Sequence, residues 1–163
     1  MENNDILVRL RYALDIKDTD MVQIFKLGDV EVTKEEVRMI LTKSSEDEDM
    51  DNEYFIKCNN KMLESFLNGF IIFKRGRQET KPGQSEKPAF SKESVNNILL
   101  KKVKIALSLT SEDIIDILAS AGVTITKGEL SALLRKEGHK NYKECGDKYA
   151  RNFLKGLAIR YRG

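Results

Sequence analysis

The sequence repeats itself, and that constrains the fold more than any other feature. Displaced by 93 positions, residues 3–41 fall on residues 96–134 with 12 identities in 39 pairs, among them Asn3/Asn96, Asn4/Asn97, Ala13/Ala106, Ile24/Ile117 and Thr33/Thr126. Displaced by 87, residues 54–76 fall on 141–163 with 8 identities in 23, including Cys58/Cys145, Phe66/Phe153, Gly69/Gly156 and Arg75/Arg162. The displacement changes by six residues, which places a loop insertion in the acidic stretch around residues 44–53 of the first copy. A duplicated unit folds twice by the same local rules, so any periodicity that matters must be present in both copies.

Each copy reads as four helices. Ile6, Leu7, Leu10, Ala13 and Leu14 recur as Leu99, Leu100, Val103, Ala106 and Leu107, at the spacing of one helical face. A second helix starts at a capping position, Asp18 or Ser111, turns Met21, Ile24 and Phe25 or Ile114, Ile117 and Leu118 inward, and stops near Gly28 or Gly122. A third opens on Thr33 to Glu36 and on Thr126 to Glu129, which predicts a capping box in both copies. A fourth runs from about Lys61 or Lys148 and presents Phe66, Leu67 and Phe70, or Phe153, Leu154 and Leu157. Pro82 and Pro88, the sole prolines, fall between the copies among Gly, Ser, Gln and Lys. The expected protein is therefore all-α: helical repeat 1 over residues 1–76, a linker over 77–95 and helical repeat 2 over 96–163. A four-helix unit of this length buries a small core. Two such units gain by packing about a pseudo-two-fold axis into one compact body.

Charge is divided unevenly. Residues 1–76 carry 11 basic and 16 acidic residues, residues 77–95 four and three, and residues 96–163 thirteen and seven. Six of the first copy's acids, Glu46, Asp47, Glu48, Asp49, Asp51 and Glu53, sit in one segment. Asp47, Asp49 and Asp51 alternate as at the start of an EF-hand loop, but Asn52 and Cys58 stand where its Gly and bidentate Glu are needed. The segment reads as a solvated acidic loop and as a candidate protein-interaction element.

Neither cysteine has the setting of a nucleophile. Cys58 and Cys145 each precede the fourth helix beside polar capping residues, which is the setting of a small packed thiol, and two such residues predict reduced thiols. His139 stands six positions before Cys145, yet its counterpart is Asn52, and no second histidine exists to complete a relay or a metal shell. The helix–Gly–helix segments resemble a DNA-reading motif, but the turn is long and the would-be recognition helix begins Thr33-Lys34-Glu35-Glu36, with acids facing any phosphate. No catalytic residue, metal ligand or cofactor is expected.

Basic positions are better candidates because they recur. Arg9 and Arg11 align with Lys102 and Lys104 on the polar side of the first helix, and Arg75 with Arg162 at the end of the fourth. The first group, brought together by symmetric packing, would make a basic stripe able to follow a phosphate backbone. The second also suits a helix C-terminus for dipole reasons alone.

The block His139-Lys140-Asn141-Tyr142-Lys143-Glu144-Cys145-Gly146-Asp147, followed by Phe153-Leu154-Lys155-Gly156-Leu157, resembles the signature of the YehS-like family. So does Ser65-Phe66-Leu67-Asn68-Gly69 followed by Lys74-Arg75-Gly76 in the first copy. The family comprises small bacterial proteins built from a duplicated domain of unknown function, so the resemblance implies a bacterial cytosolic protein and brings no activity with it. Residues 1–5 are polar and acidic, and the longest apolar runs, such as Phe70-Ile71-Ile72-Phe73, are far too short to span a bilayer. These features predict a cytoplasmic protein without a membrane partner. Its expected role is non-catalytic binding or regulation, with nucleic acid favoured as partner. The first alternative is a module that meets an acidic or basic protein, including a second copy of itself as a homo-oligomer; an enzyme or small-ligand binder, with its site between the repeats, is the third and less favoured reading.

Overall fold

Apolar side chains three and four positions apart put one stripe on each helix, and the helices are arranged so that every stripe meets another. The computed structural model describes residues 1–42, 55–76 and 91–162. Among the described residues are eight helices and no strand: α1 (Asn3–Leu14), α2 (Asp18–Leu27), α3 (Lys34–Leu41), α4 (Asn60–Arg75), α5 (Val95–Ala106), α6 (Ser111–Ser120), α7 (Lys127–Leu134) and α8 (Asp147–Arg162). The fold is all-α, two pseudo-symmetric four-helix repeats in one body. The acidic segment 46–53 and most of 77–95 lie outside the described residues, and α5 begins at Val95, inside the span read as linker.

The two repeats share a core. Ile6, Leu10, Phe66 and Leu67 of the first belong to one buried cluster with Leu99, Val103, Phe153 and Leu154 of the second. Phe25 and Phe66 pack with ring centroids 4.8 Å apart, and Phe66 stacks on Phe70 at 6.4 Å. The pairing of helices is exchanged between repeats. Helix α1 packs chiefly on α8 and α5 chiefly on α4, whereas α1 barely meets its own α4. Each repeat thus lends its first helix to the other's fourth.

Within each repeat, α2 crosses α4, and α6 crosses α8, at backbone distance. A Cβ added at Gly69 would lie 2.0 Å from the carbonyl oxygen of Ile24, and one at Gly156 would lie 2.1 Å from that of Ile117. Only glycine permits this approach.

Helix starts differ slightly from the sequence reading. Asp18 and Ser111 are the first helical residues rather than caps. In the second repeat the cap is Thr110, whose side chain accepts from the Asp113 N–H while Asp113 accepts from the Thr110 N–H. Lys17, at the matching place, caps with no side-chain bond. The capping box of Thr33 and Glu36 is complete, but Glu129 meets the Thr126 hydroxyl at 3.0 Å instead of closing a second one. The end near Gly122 is the expected left-handed position, with φ at +88°, and Asp29 at φ +69° is its counterpart.

Candidate functional site

The doubled asparagines organise the segment that leads into each fourth helix. Asn4, buried at the N-terminal end of α1, donates from Nδ2 to the carbonyls of Ile40 and Ile56 at 2.8 Å each and accepts the Cys58 N–H at 2.9 Å. Asn97 repeats the set with Leu133, Lys143 and Cys145 at 3.0, 3.0 and 2.8 Å. Asn3 and Asn96 add a bond each to the Cys58 and Cys145 carbonyls. Recurrence at adjacent positions is the sequence signal of this frame, and the sequence by itself assigns the asparagines no role.

This frame holds the two thiols inside. Burial pushes the Cys58 thiol up to about 12, and burial with the nearby Asp147 carboxylate pushes Cys145 up to about 11. At neutral pH both are protonated, and a protonated thiol is a poor nucleophile and a poor metal ligand. His139 is exposed, its Nδ1 accepting the Asn141 N–H at 3.1 Å, while Cys145 is buried. Among the described residues, no three His, Cys, Asp or Glu side chains gather as a metal site would require.

The six basic candidates meet different fates. Arg162 of α8 donates to the Tyr12 carbonyl at 3.0 Å and to Asp15 Oδ1 at 3.3 Å, beyond the last turn of α1. Arg75 of α4 donates to the Ile105 carbonyl at 3.3 Å, the equivalent place on α5. Both arginines therefore close helix ends across the repeat boundary, where a cation also meets the negative end of the dipole. Arg11 is paired with Asp18 at 2.8 Å. Lys104 and Arg9 make no ion pair with a described residue, and Arg9 is exposed where Lys104 is half-buried.

Lys102, the counterpart of Arg9, is different. Burial pulls its ammonium below the usual lysine range, Lys101 beside it adds to that, and Glu64 and Glu93 oppose it. Glu64 is 4% exposed and accepts the Ser91 N–H through both oxygens at 3.0 and 3.1 Å. Glu93 forms an ion pair with Lys101. The seam between α4 and α5 is thus supplied with its own acids.

The seam between α1 and α8 has no counterpart of Glu64; its acids include Asp5, in the groove, and Asp15, paired with Arg162. Arg151 stands at the repeat position of Glu64, and Lys155 at that of Asn68. A groove of about 390 Å³ runs along this seam. Asp5, Val8, Arg9 and Tyr12 line it from successive turns of α1, and Leu154, Lys155 and Ala158 from α8. Tyr12 is 60% exposed, and the Arg162 guanidinium carbon lies 4.3 Å from its ring centroid. Two larger depressions, of about 870 and 430 Å³, lie along α2; their one cation, Lys26, is accompanied by Glu31 with Asp29 or Glu36. Of these three, the α1/α8 groove is the one in which cations outnumber acids.

Comparison with known proteins gives the same two units. A family model described as protein of unknown function (DUF1456) matches twice, over residues 3–76 and again over 96–163. The chain belongs to this family. Within it, the chain is similar to the uncharacterized protein YehS of Escherichia coli (strain K12), at 41% identity over 160 residues that cover 98% of this chain and 96% of that one. No solved structure matches. The DUF1456 description names no ligand or reaction, so the geometry has to supply the functional reading. No helix among the described residues is long and apolar enough to cross a membrane.

Proposed function

We propose that this protein is a non-catalytic binder of nucleic acid and that the polyanion lies along the α1/α8 groove. The observation that carries the reading is the contrast between twin seams. At α4/α5 the acids Glu64 and Glu93 lie in the seam, Glu93 paired with Lys101 and Glu64 with the Ser91 N–H, whereas at α1/α8 Arg9 is exposed, has no ion pair among the described residues and shares its groove with Lys155 and one acid, Asp5. Cations left without a protein partner beside a concave surface attract phosphate, and releasing the counterions of phosphate supplies the affinity. Of the six recurrent basic residues, Arg9 lines this groove, together with Lys155. Arg11, Arg75 and Arg162 are engaged within the protein.

The test is polarisation of labelled oligonucleotides across a salt series. Arg9→Gln and Lys155→Gln should each weaken binding and reduce the salt slope by about one per phosphate contact removed. Lys102→Gln should leave the slope unchanged. Equal effects at Arg9 and Lys102, or no salt-dependent binding at all, would refute the assignment to this groove.

A further inference from the structure

We infer that the nucleic acid taken by the groove is single-stranded, with Tyr12 as the platform on which one unpaired base stacks. The inference rests on the preceding reading of the groove as a phosphate site and specifies what lies between the phosphates.

Among the described residues, Tyr12 is the most exposed of the large apolar or aromatic side chains, at 60%. It sits on the groove-lining face of α1, one turn beyond Arg9. Its exposure is not that of a loose surface ring. Arg162 lies over the ring at 4.3 Å and is itself fixed by bonds to the Tyr12 carbonyl and to Asp15. One side of the ring is therefore covered by a planar cation, while most of the side chain stays in solvent. A ring already held in place loses little further rotamer freedom when a ligand stacks on it.

The twin seam shows which part of this arrangement the fold needs. Arg75 makes the same bond to the carbonyl of Ile105 on α5, where an aliphatic side chain stands in place of the ring. Closing the helix end does not require an aromatic residue. The tyrosine is an addition confined to the seam that has Arg9 and Lys155 in its groove.

An aromatic platform beside cations is the arrangement that single strands use, because each unpaired base offers a π-face and each nucleotide a phosphate. In a duplex the base faces are occupied by neighbouring bases, and a ring on the protein surface has nothing to stack on. Arg9 and Lys155 line the groove from the two helices that flank it, Arg9 one turn before Tyr12 on α1, and so offer cations to the phosphates that lead up to the stacked base. Asp5, at the far end of the same face of α1, disfavours phosphate there and so limits where along the groove the backbone can run.

The experiment compares a labelled 20-nucleotide oligo-dT and oligo-rU with a duplex of equal length, using the full chain and its Tyr12→Leu, Tyr12→Phe and Arg9→Gln variants. Single strands should bind more tightly than the duplex. Tyr12→Leu should weaken single-strand binding roughly five-fold or more, leaving the salt slope unchanged, and Tyr12→Phe should restore most of the loss. Duplex binding as tight as single-strand binding, with Tyr12→Leu indistinguishable from wild type and Arg9→Gln weakening both, would overturn the single-strand inference and leave the groove as a phosphate site. Absence of binding to every oligonucleotide would overturn the underlying reading as well.

Discussion

Asn4 and Asn97 show how one amide can replace a secondary-structure element. A single buried side chain supplies one donor to a carbonyl at the end of the third helix, Ile40, and a second donor and an acceptor to Ile56 and Cys58 ahead of the fourth. Buried backbone groups left without partners cost about 1–3 kcal/mol each. Asn97→Ala removes three such bonds at once. It should lower the free energy of unfolding by about 3 kcal/mol or more, read as a shift in urea midpoint with little change in slope. Asn97→Asp should not rescue it, since a carboxylate can accept the Cys145 N–H but cannot donate to Leu133 and Lys143. Recurrence of the pair in both copies was legible in the sequence. Its purpose was not, because the carbonyls it meets are 36 and 46 residues away and carry no side-chain signature. The basic candidates show the same boundary. Arg75 and Arg162 stand out by repetition, yet only packing tells a cation that closes a helix end from one that is open to a ligand.

At the scale of elements, the sequence is most informative where the physics is local. Helix faces follow from spacing, and the eight helices lie where their apolar stripes place them. Starts are less certain by a residue, as at Thr110 and Ser111, because neighbouring Ser, Thr and Asp all suit a cap. Closeness between helices is another matter. Gly69 and Gly156 recur within helical segments, where glycine is unfavourable by up to about 1 kcal/mol relative to alanine. Such a recurrence asks for a packing reason, and the carbonyls of Ile24 and Ile117 supply it. Gly156→Ala improves the local propensity of α8 but drives a methyl group into the backbone of α6. The net effect should be a loss of about 2 kcal/mol in thermal or chemical unfolding. A gain in stability would mean that α6 can move aside without losing its contacts.

At the scale of the molecule, the exchanged packing of first helices was beyond the reach of sequence reasoning. The two copies carry the same stripes, so α1 is as compatible with α4 as with α8, and only the three-dimensional arrangement chooses. That choice has a measurable result. A fragment of residues 91–163 retains α8 but lacks the α1 that covers it, and its α5 lacks α4. The fragment should therefore form a symmetric dimer in sedimentation equilibrium and lose helicity in circular dichroism on dilution. A fragment that stays monomeric and fully helical at low concentration would show that each repeat can turn its first helix back on itself.

The exchange has one more consequence, for what a joined pair can do that separate subunits cannot. Two identical subunits crossing helices in this way would own two identical seams, and any change made to one would be made to both. Covalent joining removes that obligation. Here one seam has Glu64 where the other has Arg151, and Ile105 where the other has Tyr12. The two seams can therefore diverge in charge and shape, so a scaffold with two-fold architecture presents two unlike faces.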